Sequence, residues 1–168
     1  CLKYGAKKLI LIDHSEFNLY QLMEELQSDK LVPIMQSVLN EPLMEKAFAL
    51  YQPEIVVHAA AYKHVPLVES NVEDGIWNNV LGTKICIDLA IKHKVQKFIL
   101  ISTDKAVRPT NVMGTTKRIC ELYAQNVDAK ETHIVAVRFG NVLGSSGSVI
   151  PKFKAQIEKG GPITVTRP

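Results

Sequence analysis

Residues 98–117 read Phe-Ile-Leu-Ile-Ser-Thr-Asp-Lys-Ala-Val-Arg-Pro-Thr-Asn-Val-Met-Gly-Thr-Thr-Lys, and this stretch decides the fold. It opens as an apolar run, which is typical of a buried strand. The run ends in two hydroxyls, Ser102 and Thr103, followed at once by an acid and an amine, Asp104 and Lys105. After a Pro-containing loop the pattern becomes helical. The stretch therefore predicts a strand that delivers polar side chains to its carboxyl end, then a loop and a helix.

The predicted helix carries Met113 and Lys117, which lie four residues apart and therefore share one face. An acid, an amine and hydroxyls at a strand end beside a Lys-bearing helix are typical of an active site. The alternative is that Asp104 and Lys105 form an exposed ion pair worth under about 1 kcal/mol.

Strand-like and helical runs alternate on both sides of this stretch. The strand-like runs are residues 8–13, 31–35, 54–61, 97–102 and 133–138, and the helical runs are 15–28, 41–51, 73–93, 115–124 and 149–159. Continuous apolar strands with intervening helices predict a parallel sheet covered on both faces. The predicted fold class is therefore α/β, a doubly wound parallel sheet of the Rossmann type. Its functional residues are expected beyond the carboxyl ends of the strands.

The 168 residues suffice for one domain with a core. A dinucleotide-binding sheet of this kind opens with a strand and a G-x-G-x-x-G turn, and this sequence has no such motif. We expect a fragment of a single NAD-binding domain that lacks the first strand and the Gly-rich loop. Residues 149–168 are expected to begin a substrate-binding part that stops in mid-strand, so the domain is truncated at both ends.

The composition argues against several classes of protein. The net charge is only +3 and the basic residues are scattered, so we expect no nucleic-acid partner. No apolar run approaches the ~20 residues that a membrane span needs. Cys1, Cys86 and Cys120 lack the spacing of a metal or redox site, so we predict no metal and a reducing compartment.

Five segments of the chain resemble the extended short-chain dehydrogenase/reductase family. They are residues 12–20, 57–69, 78–83, 102–118 and 137–151. The Ser-Thr-Asp-Lys and Met-Gly-x-Thr-Lys runs are similar to the bacterial nucleotide-sugar 4,6-dehydratases of polysaccharide (capsule) and glycan biosynthesis. The resemblance implies a lyase that uses NAD to convert UDP-N-acetylglucosamine to a UDP-4-keto-6-deoxy-hexosamine.

The resemblance also implies roles for the residues of the central stretch. In the family, the equivalent of Lys117 binds the nicotinamide ribose and activates a Tyr one turn earlier, but here that position is Met113. Because Met cannot transfer a proton, this departure argues against an epimerase or ketoreductase of the same fold. Those activities remain alternatives, as does a non-catalytic dinucleotide-binding module. Candidates to take the proton of the sugar 4-hydroxyl are Ser102 or Thr103 with water, or Asp104.

Asp104 and Lys105 are expected to carry out the loss of water. After transient oxidation at sugar carbon 4, Lys105 acts as a base on the carbon 5 proton. Asp104, if held protonated, donates to the leaving 6-hydroxyl. The cofactor is regenerated without leaving, so tight binding is expected.

The expected cofactor contacts lie at strand ends and on one helix. A carboxylate at Asp13 can accept both ribose hydroxyls and repel a 2′-phosphate, which favours NAD over NADP. The alternative is a helix N-terminal acid beside Ser15, which is placed to cap that helix. Small side chains at Ala59 and Ala60 let a flat cofactor approach the backbone. Asn79 resembles the family's helix Asn, which orients the catalytic Lys through backbone and water.

The substrate contacts implied by the resemblance are Lys63, His64 and Asn141. A capped loop histidine is the alternative for His64. Residues 144–148 offer backbone N–H groups and hydroxyls that suit phosphate, with a plain loop as the alternative. The parent protein is expected to be a homo-oligomer that binds a UDP-sugar in the cytoplasm. It could alternatively be anchored in the bacterial inner membrane with this domain facing the cytoplasm.

Overall fold

The computed structural model of the chain describes residues 1–140, 142 and 149–164. The strands are β1 (Leu9–Asp13), β2 (Leu31–Met35), β3 (Ile55–His58), β4 (Lys97–Thr103) and β5 (His133–Phe139). The helices are α1 (Glu16–Leu26), α2 (Glu41–Tyr51), α3 (Val65–Ser70), α4 (Val72–Ile76), α5 (Gly82–Lys92), α6 (Val112–Asn126) and α7 (Val149–Glu158). A π-helical turn, Trp77–Leu81, joins α4 to α5, and 3-10 turns lie at Leu2–Tyr4 and Asp104–Ala106.

The strands form two sheets. β1 pairs in parallel with β2, and β3 pairs in parallel with β4, which also neighbours β5. In the doubly wound order 3-2-1-4-5-6, β1 and β2 correspond to strands 2 and 3, and β3 to β5 correspond to strands 4 to 6. Among the residues that the structure describes, no strand corresponds to strand 1 of that order. The predicted α/β fold is confirmed, with the sheet divided at that point.

The core lies between β4 and the helices that pack on it. Phe98 and Leu100 alternate along β4 on its buried face, as a strand period of two requires. They join Ile87 of α5 and Phe48 of α2 in one apolar cluster. This packing holds β4 rigidly and therefore fixes the position of the polar residues at its carboxyl end.

The structure corrects several predicted boundaries. The strand expected over 54–61 ends at His58, so Ala59 and Ala60 lie in a loop. The sequence predicts a single helix over 73–93, but the structure divides this region into α4, the π-helical turn and α5. Helix α3 was not predicted. α6 begins at Val112 rather than Thr115, because the Asn111 side chain accepts the Gly114 N–H and caps the helix three residues earlier.

Residues 1–138 and 139–168 form two compact units. In the second unit, α7 is followed by Gly160 and Gly161, which have φ values of 86° and 77°. Such left-handed backbone favours glycine and ends the helix. Within the described part of the chain, no helix is long and apolar enough to cross a membrane, and no group of three metal-ligating side chains is found.

Candidate active site

The turn after β4 brings together three of the predicted catalytic residues. Thr103 Oγ1 donates to Asp104 Oδ1 over 2.9 Å, and Lys105 Nζ donates to the same oxygen over 3.2 Å. The Thr103 hydroxyl also accepts the Lys105 backbone N–H at 3.3 Å and thereby caps the turn. The Lys105 and Asp104 side chains are 39% and 56% exposed. The pair therefore lies at the carboxyl edge of the sheet, where a substrate could reach it.

Asp104 rests as a carboxylate. The Thr103 hydroxyl, and after it the Lys105 ammonium, lowers the pKa of Asp104 below its usual value. The protonated state assumed for an acid role is therefore not the resting state of this group, and that role stays a prediction.

Gly114 makes the position of this turn possible. A Cβ built on Gly114 would lie 2.4 Å from the Lys105 carbonyl oxygen, well inside van der Waals contact. Only a glycine lets the turn approach α6 so closely. Sequence reasoning missed this residue, although a lone Gly inside a helical pattern is a signal for such a packing role.

Met113 and Lys117 lie together on the buried face of α6, as their spacing predicted. The Lys117 side chain reaches β4, where Nζ donates to the Ile101 carbonyl at 3.0 Å. Burial lowers the pKa of Lys117, while the neighbouring Cys120 and Glu121 act in the opposite direction. The ammonium is therefore held two residues before Thr103 in the strand that carries the Asp104–Lys105 turn.

Ser102 points into the protein rather than toward the turn. Its hydroxyl donates to Glu121 Oε1 at 2.7 Å, on the same face of β4 as Phe98 and Leu100. The hydrogen of the Ser102 hydroxyl is therefore already used in a hydrogen bond to the Glu121 carboxylate. Its role as acceptor of the sugar 4-hydroxyl proton stays a prediction, and Thr103 is the more accessible of the two hydroxyls.

Glu121 is the central residue of a cluster that sequence reasoning missed. Its carboxylate is 1% exposed and also accepts Arg138 Nε at 2.8 Å, Arg138 Nη2 at 2.7 Å and Arg118 Nη1 at 3.1 Å. The Arg138 guanidinium, followed by Ser102 and Arg118, lowers the pKa of Glu121 to about 2. The cluster ties the ends of β4 and β5 to α6. Its one sequence signal was the spacing of Glu121 four residues after Lys117.

His58 is a second buried residue that was missed. Its Nε2 lies 2.9 Å from Thr83 Oγ1, which itself donates to the Asn79 carbonyl at 2.6 Å. Burial, assisted by the Lys117 charge, lowers the pKa of His58 to about 3, so the ring is neutral. Because the Thr83 hydrogen is used elsewhere, His58 Nε2 is the donor in this contact.

The predicted nucleotide contacts lie at the carboxyl ends of β1 and β3. Asp13 Oδ1 accepts the Ser15 N–H at 2.8 Å, and Oδ2 accepts the Asn18 amide at 3.2 Å. A carboxylate accepts about four hydrogen bonds, so both oxygens keep capacity for ribose hydroxyls. Ser15 caps α1 as predicted. Ala59 is exposed and Ala60 half-buried in the loop after β3.

Lys63 and His64 are exposed in the loop that leads to α3. His64 occupies the N-cap position of α3, but its side chain makes no capping hydrogen bond. Both interpretations of His64, a substrate contact and a capped loop histidine, stay predictions. Asn141 and residues 144–148 lie outside the described residues.

Comparison with known proteins identifies the family. The chain matches the polysaccharide biosynthesis protein family along residues 1–168. The chain belongs to this family. Among its relatives, the capsular polysaccharide biosynthesis protein CapD of Staphylococcus aureus is 50% identical, over 99% of this chain and 29% of that protein. The inverting UDP-N-acetylglucosamine 4,6-dehydratase of Campylobacter jejuni is 34% identical, over 98% of this chain and 51% of that protein.

The similarity to known proteins extends to the three-dimensional structure. The X-ray structure of Pen from Bacillus thuringiensis superposes with a TM-score of 0.89 and 34% identity, over 99% of this chain and 52% of that one. The predicted membership of the nucleotide-sugar dehydratase and epimerase group is confirmed. The chain spans between 29% and about half of the length of these relatives.

Proposed function

We propose that the protein containing this chain is an NAD-dependent nucleotide-sugar 4,6-dehydratase. It converts UDP-N-acetylglucosamine to a UDP-4-keto-6-deoxy-hexosamine in bacterial polysaccharide or glycan biosynthesis. The observation that carries the proposal is the exposed Asp104–Lys105 pair beside a buried Met113. Met113 provides no proton acceptor one turn before Lys117, so we assign the acid–base chemistry to that pair together with the Thr103 hydroxyl. The relatives named as a capsular biosynthesis protein and as a dehydratase support this reading.

The described residues fit a bound NAD. Asp13 would hold the adenosine ribose, Ala59 and Ala60 would let the cofactor approach the backbone, and Lys117 would hold the nicotinamide ribose. Bound NAD supplies the hydride acceptor for sugar carbon 4 and the hydride donor for carbon 6. Solved structures of the same fold contain NAD, which supports this choice over NADP.

The resting proton distribution suggests how Asp104 becomes an acid. Oxidation at carbon 4 releases the proton of the sugar 4-hydroxyl. Thr103, which donates to Asp104 at 2.9 Å, can accept that proton while it passes its own to the ionised carboxylate. Asp104 is then protonated and can donate to the leaving 6-hydroxyl, which departs as water.

Lys105 completes the cycle as the base. When the sugar covers the turn it removes water from both charged groups, which disfavours the ion pair. Lys105, whose side chain is 39% exposed, releases its ammonium proton to solvent as the sugar binds. The neutral amine then takes the proton of carbon 5 and returns it to carbon 5 once carbon 6 has been reduced. The product then carries a ketone at carbon 4 and a methyl group at carbon 6.

The decisive experiment incubates the full-length protein with UDP-N-acetylglucosamine and measures the product mass. We expect a product lighter by one water. Lys105→Ala should reduce turnover by about 10²–10⁴-fold, the range for a lost acid–base group. Lys97→Ala, at the exposed start of the same strand, is the matched control and should leave turnover unchanged. Full activity of Lys105→Ala would refute the mechanism.

An epimerase is the second candidate function, because some relatives are named UDP-glucose 4-epimerase. Epimerisation leaves the product mass unchanged, and so the same measurement separates the two activities. UDP-N-acetylglucosamine has no ketone to reduce, so a ketoreductase would act on it only in reverse, which would yield a ketone lighter by two hydrogens and accumulate reduced cofactor. A non-catalytic dinucleotide-binding module would yield no product.

We also propose that the full-length protein forms a homo-oligomer on the cytoplasmic side of the cell. It could be dissolved there or anchored in the inner membrane. One relative is named a membrane protein, which supports an anchor outside the described residues. Fractionation of cells that express the full-length protein, followed by light scattering, tests both statements.

A further inference from the structure

The side chain of Asn79 uses all four of its hydrogen-bonding capacities within the protein. Oδ1 accepts the Tyr62 N–H at 2.7 Å and the Asn78 amide at 3.2 Å. Nδ2 donates to the Tyr62 carbonyl at 3.0 Å and to Thr116 Oγ1 at 3.0 Å. A primary amide has two donors and two acceptor positions, so this set is complete. The Tyr62 N–H and carbonyl also leave no doubt which end of the amide is oxygen.

The backbone around Asn79 is held as firmly as its side chain. Asn79 lies in the π-helical turn and is fully buried. Its carbonyl accepts both the Thr83 hydroxyl at 2.6 Å and the Cys120 thiol at 3.1 Å. His58 fixes Thr83 from the end of β3. Such turns occur frequently at functional sites, where they redirect one side chain out of the regular helical spacing.

Among the hydrogen bonds of the described residues, none joins the Asn79 side chain directly to Lys117. The Lys117 ammonium is held by the Ile101 carbonyl, and Asn79 instead bonds the preceding residue, Thr116. The Thr116 hydroxyl in turn donates to the Met113 carbonyl at 2.7 Å. The expected role of Asn79, which is to orient Lys117 through its backbone and a water, stays a prediction.

The two bonds to Tyr62 have a clear consequence for the loop between β3 and α3. The Asn79 side chain pairs with both the N–H and the carbonyl of Tyr62, as a residue on a neighbouring strand would. Tyr62 directly precedes Lys63 and His64, the exposed residues expected to contact the UDP-sugar. The third bond, to Thr116, joins that loop to the helix that carries Lys117.

We propose that Asn79 is a positioning residue for the substrate, which clamps the loop of residues 59–64 against α6. The assignment rests on the proposed function, because Lys63 and His64 are substrate contacts within it. Through its two hydrogen bonds to Tyr62, Asn79 acts on the binding of the sugar nucleotide.

The kinetic test uses Asn79→Ala in the full-length protein with UDP-N-acetylglucosamine. We expect KM for the sugar nucleotide to rise about tenfold or more, with kcat within about threefold and its pH profile unchanged. Asn126→Ala, an exposed residue at the end of α6 whose amide donates to the Leu122 carbonyl, is the matched control and should change neither constant. A lower kcat with a shifted pH profile and an unchanged KM would overturn the proposal, because Asn79 would then act through Lys117.

A second measurement is hydrogen exchange of the wild-type protein, which requires neither a substituted variant nor the proposed activity. The Tyr62 amide should exchange its hydrogen with solvent at least tenfold more slowly than an unprotected amide of the same local sequence, because it donates to the fully buried Asn79 side chain at 2.7 Å. Exchange of Tyr62 at the rate of an open loop would refute the clamp. If UDP-N-acetylglucosamine is not a substrate, the proposed function fails while this exchange result still decides the clamp.

Discussion

Asp104 and Lys105 are neighbours in the chain, and the turn after β4 keeps their charged groups 3.2 Å apart. An exposed ion pair contributes little to stability, and the role that we propose for this pair is proton transfer. The Thr103 hydroxyl adds a third group through which a proton can enter and leave the carboxylate. The pair thus combines an acceptor and a donor of protons at one strand end.

Asp104→Asn tests this arrangement. The amide can still accept the Thr103 hydroxyl but cannot take up a proton, so we expect kcat to fall by about 10²–10⁴-fold with KM little changed. Steady-state formation of the dehydrated product measures the effect. Asp128→Asn, an exposed residue after α6, should leave kcat as it is. Equal rates for Asp104→Asn and the wild type would remove Asp104 from the mechanism.

Helix α6 supplies the surface against which the Asp104–Lys105 turn packs. Gly114 lets the Lys105 carbonyl approach, and Lys117 reaches back to β4 one turn later. The helix therefore determines how closely the Asp104–Lys105 turn approaches α6. It also determines the position of the buried Lys117 ammonium. A side chain at Gly114 would have to push the turn away, since the obstructing atom belongs to the backbone.

Gly114→Ala should therefore destabilise the protein by about 1–3 kcal/mol, the usual cost of overpacking. The sign is informative, because the same substitution in an unobstructed helix would stabilise by about 1 kcal/mol. Chemical denaturation measures the free energy of unfolding. Thr115→Ala, at the exposed next position, serves as the control and should remain within about 0.5 kcal/mol of the wild type. A stabilised Gly114→Ala would show that the turn does not press on the helix.

Glu121 connects elements that are far apart in the chain and gives the protein a pH-dependent link. Its pKa is lowered from 4.5 to about 2 in the folded protein. The stabilisation that results from this lowered pKa is fully present at pH values above 4.5, the ordinary pKa of a glutamate. As the pH falls from there toward 2, the unfolded chain takes up the proton first and the stabilisation is lost.

Glu121→Gln should lower the free energy of unfolding at neutral pH by about 3 kcal/mol, because the buried pairing with Arg138 and Arg118 is broken. It should also flatten the decline in stability between pH 4.5 and 2 relative to the wild type. Urea unfolding at a series of pH values measures both effects. Glu131→Gln, which is exposed, is the control and should keep the wild-type profile. An unchanged decline in Glu121→Gln would mean that other carboxylates cause the acid sensitivity.

Apolar periodicity along the chain was enough to predict the order and type of the main elements, because it reports directly which segments are buried strands and which are amphipathic helices. The sequence also predicted the strand-end placement of Asp104 and Lys105 and the shared face of Met113 and Lys117, since these depend only on local spacing. The family followed from the same motifs. These properties are local, and neighbouring residues suffice to specify them.

The tertiary structure alone decided which of these side chains meet. The contacts of Glu121 with Ser102 and Arg138, of His58 with Thr83, and of Asn79 with Tyr62 join residues 17 to 25 positions apart in the chain. No periodicity reports such pairs, because they arise when separate helices and strands pack. The boundary error at α6 has a related cause. The Asn111 side chain caps the helix three residues before the predicted start, and apolar patterning does not report single hydrogen bonds.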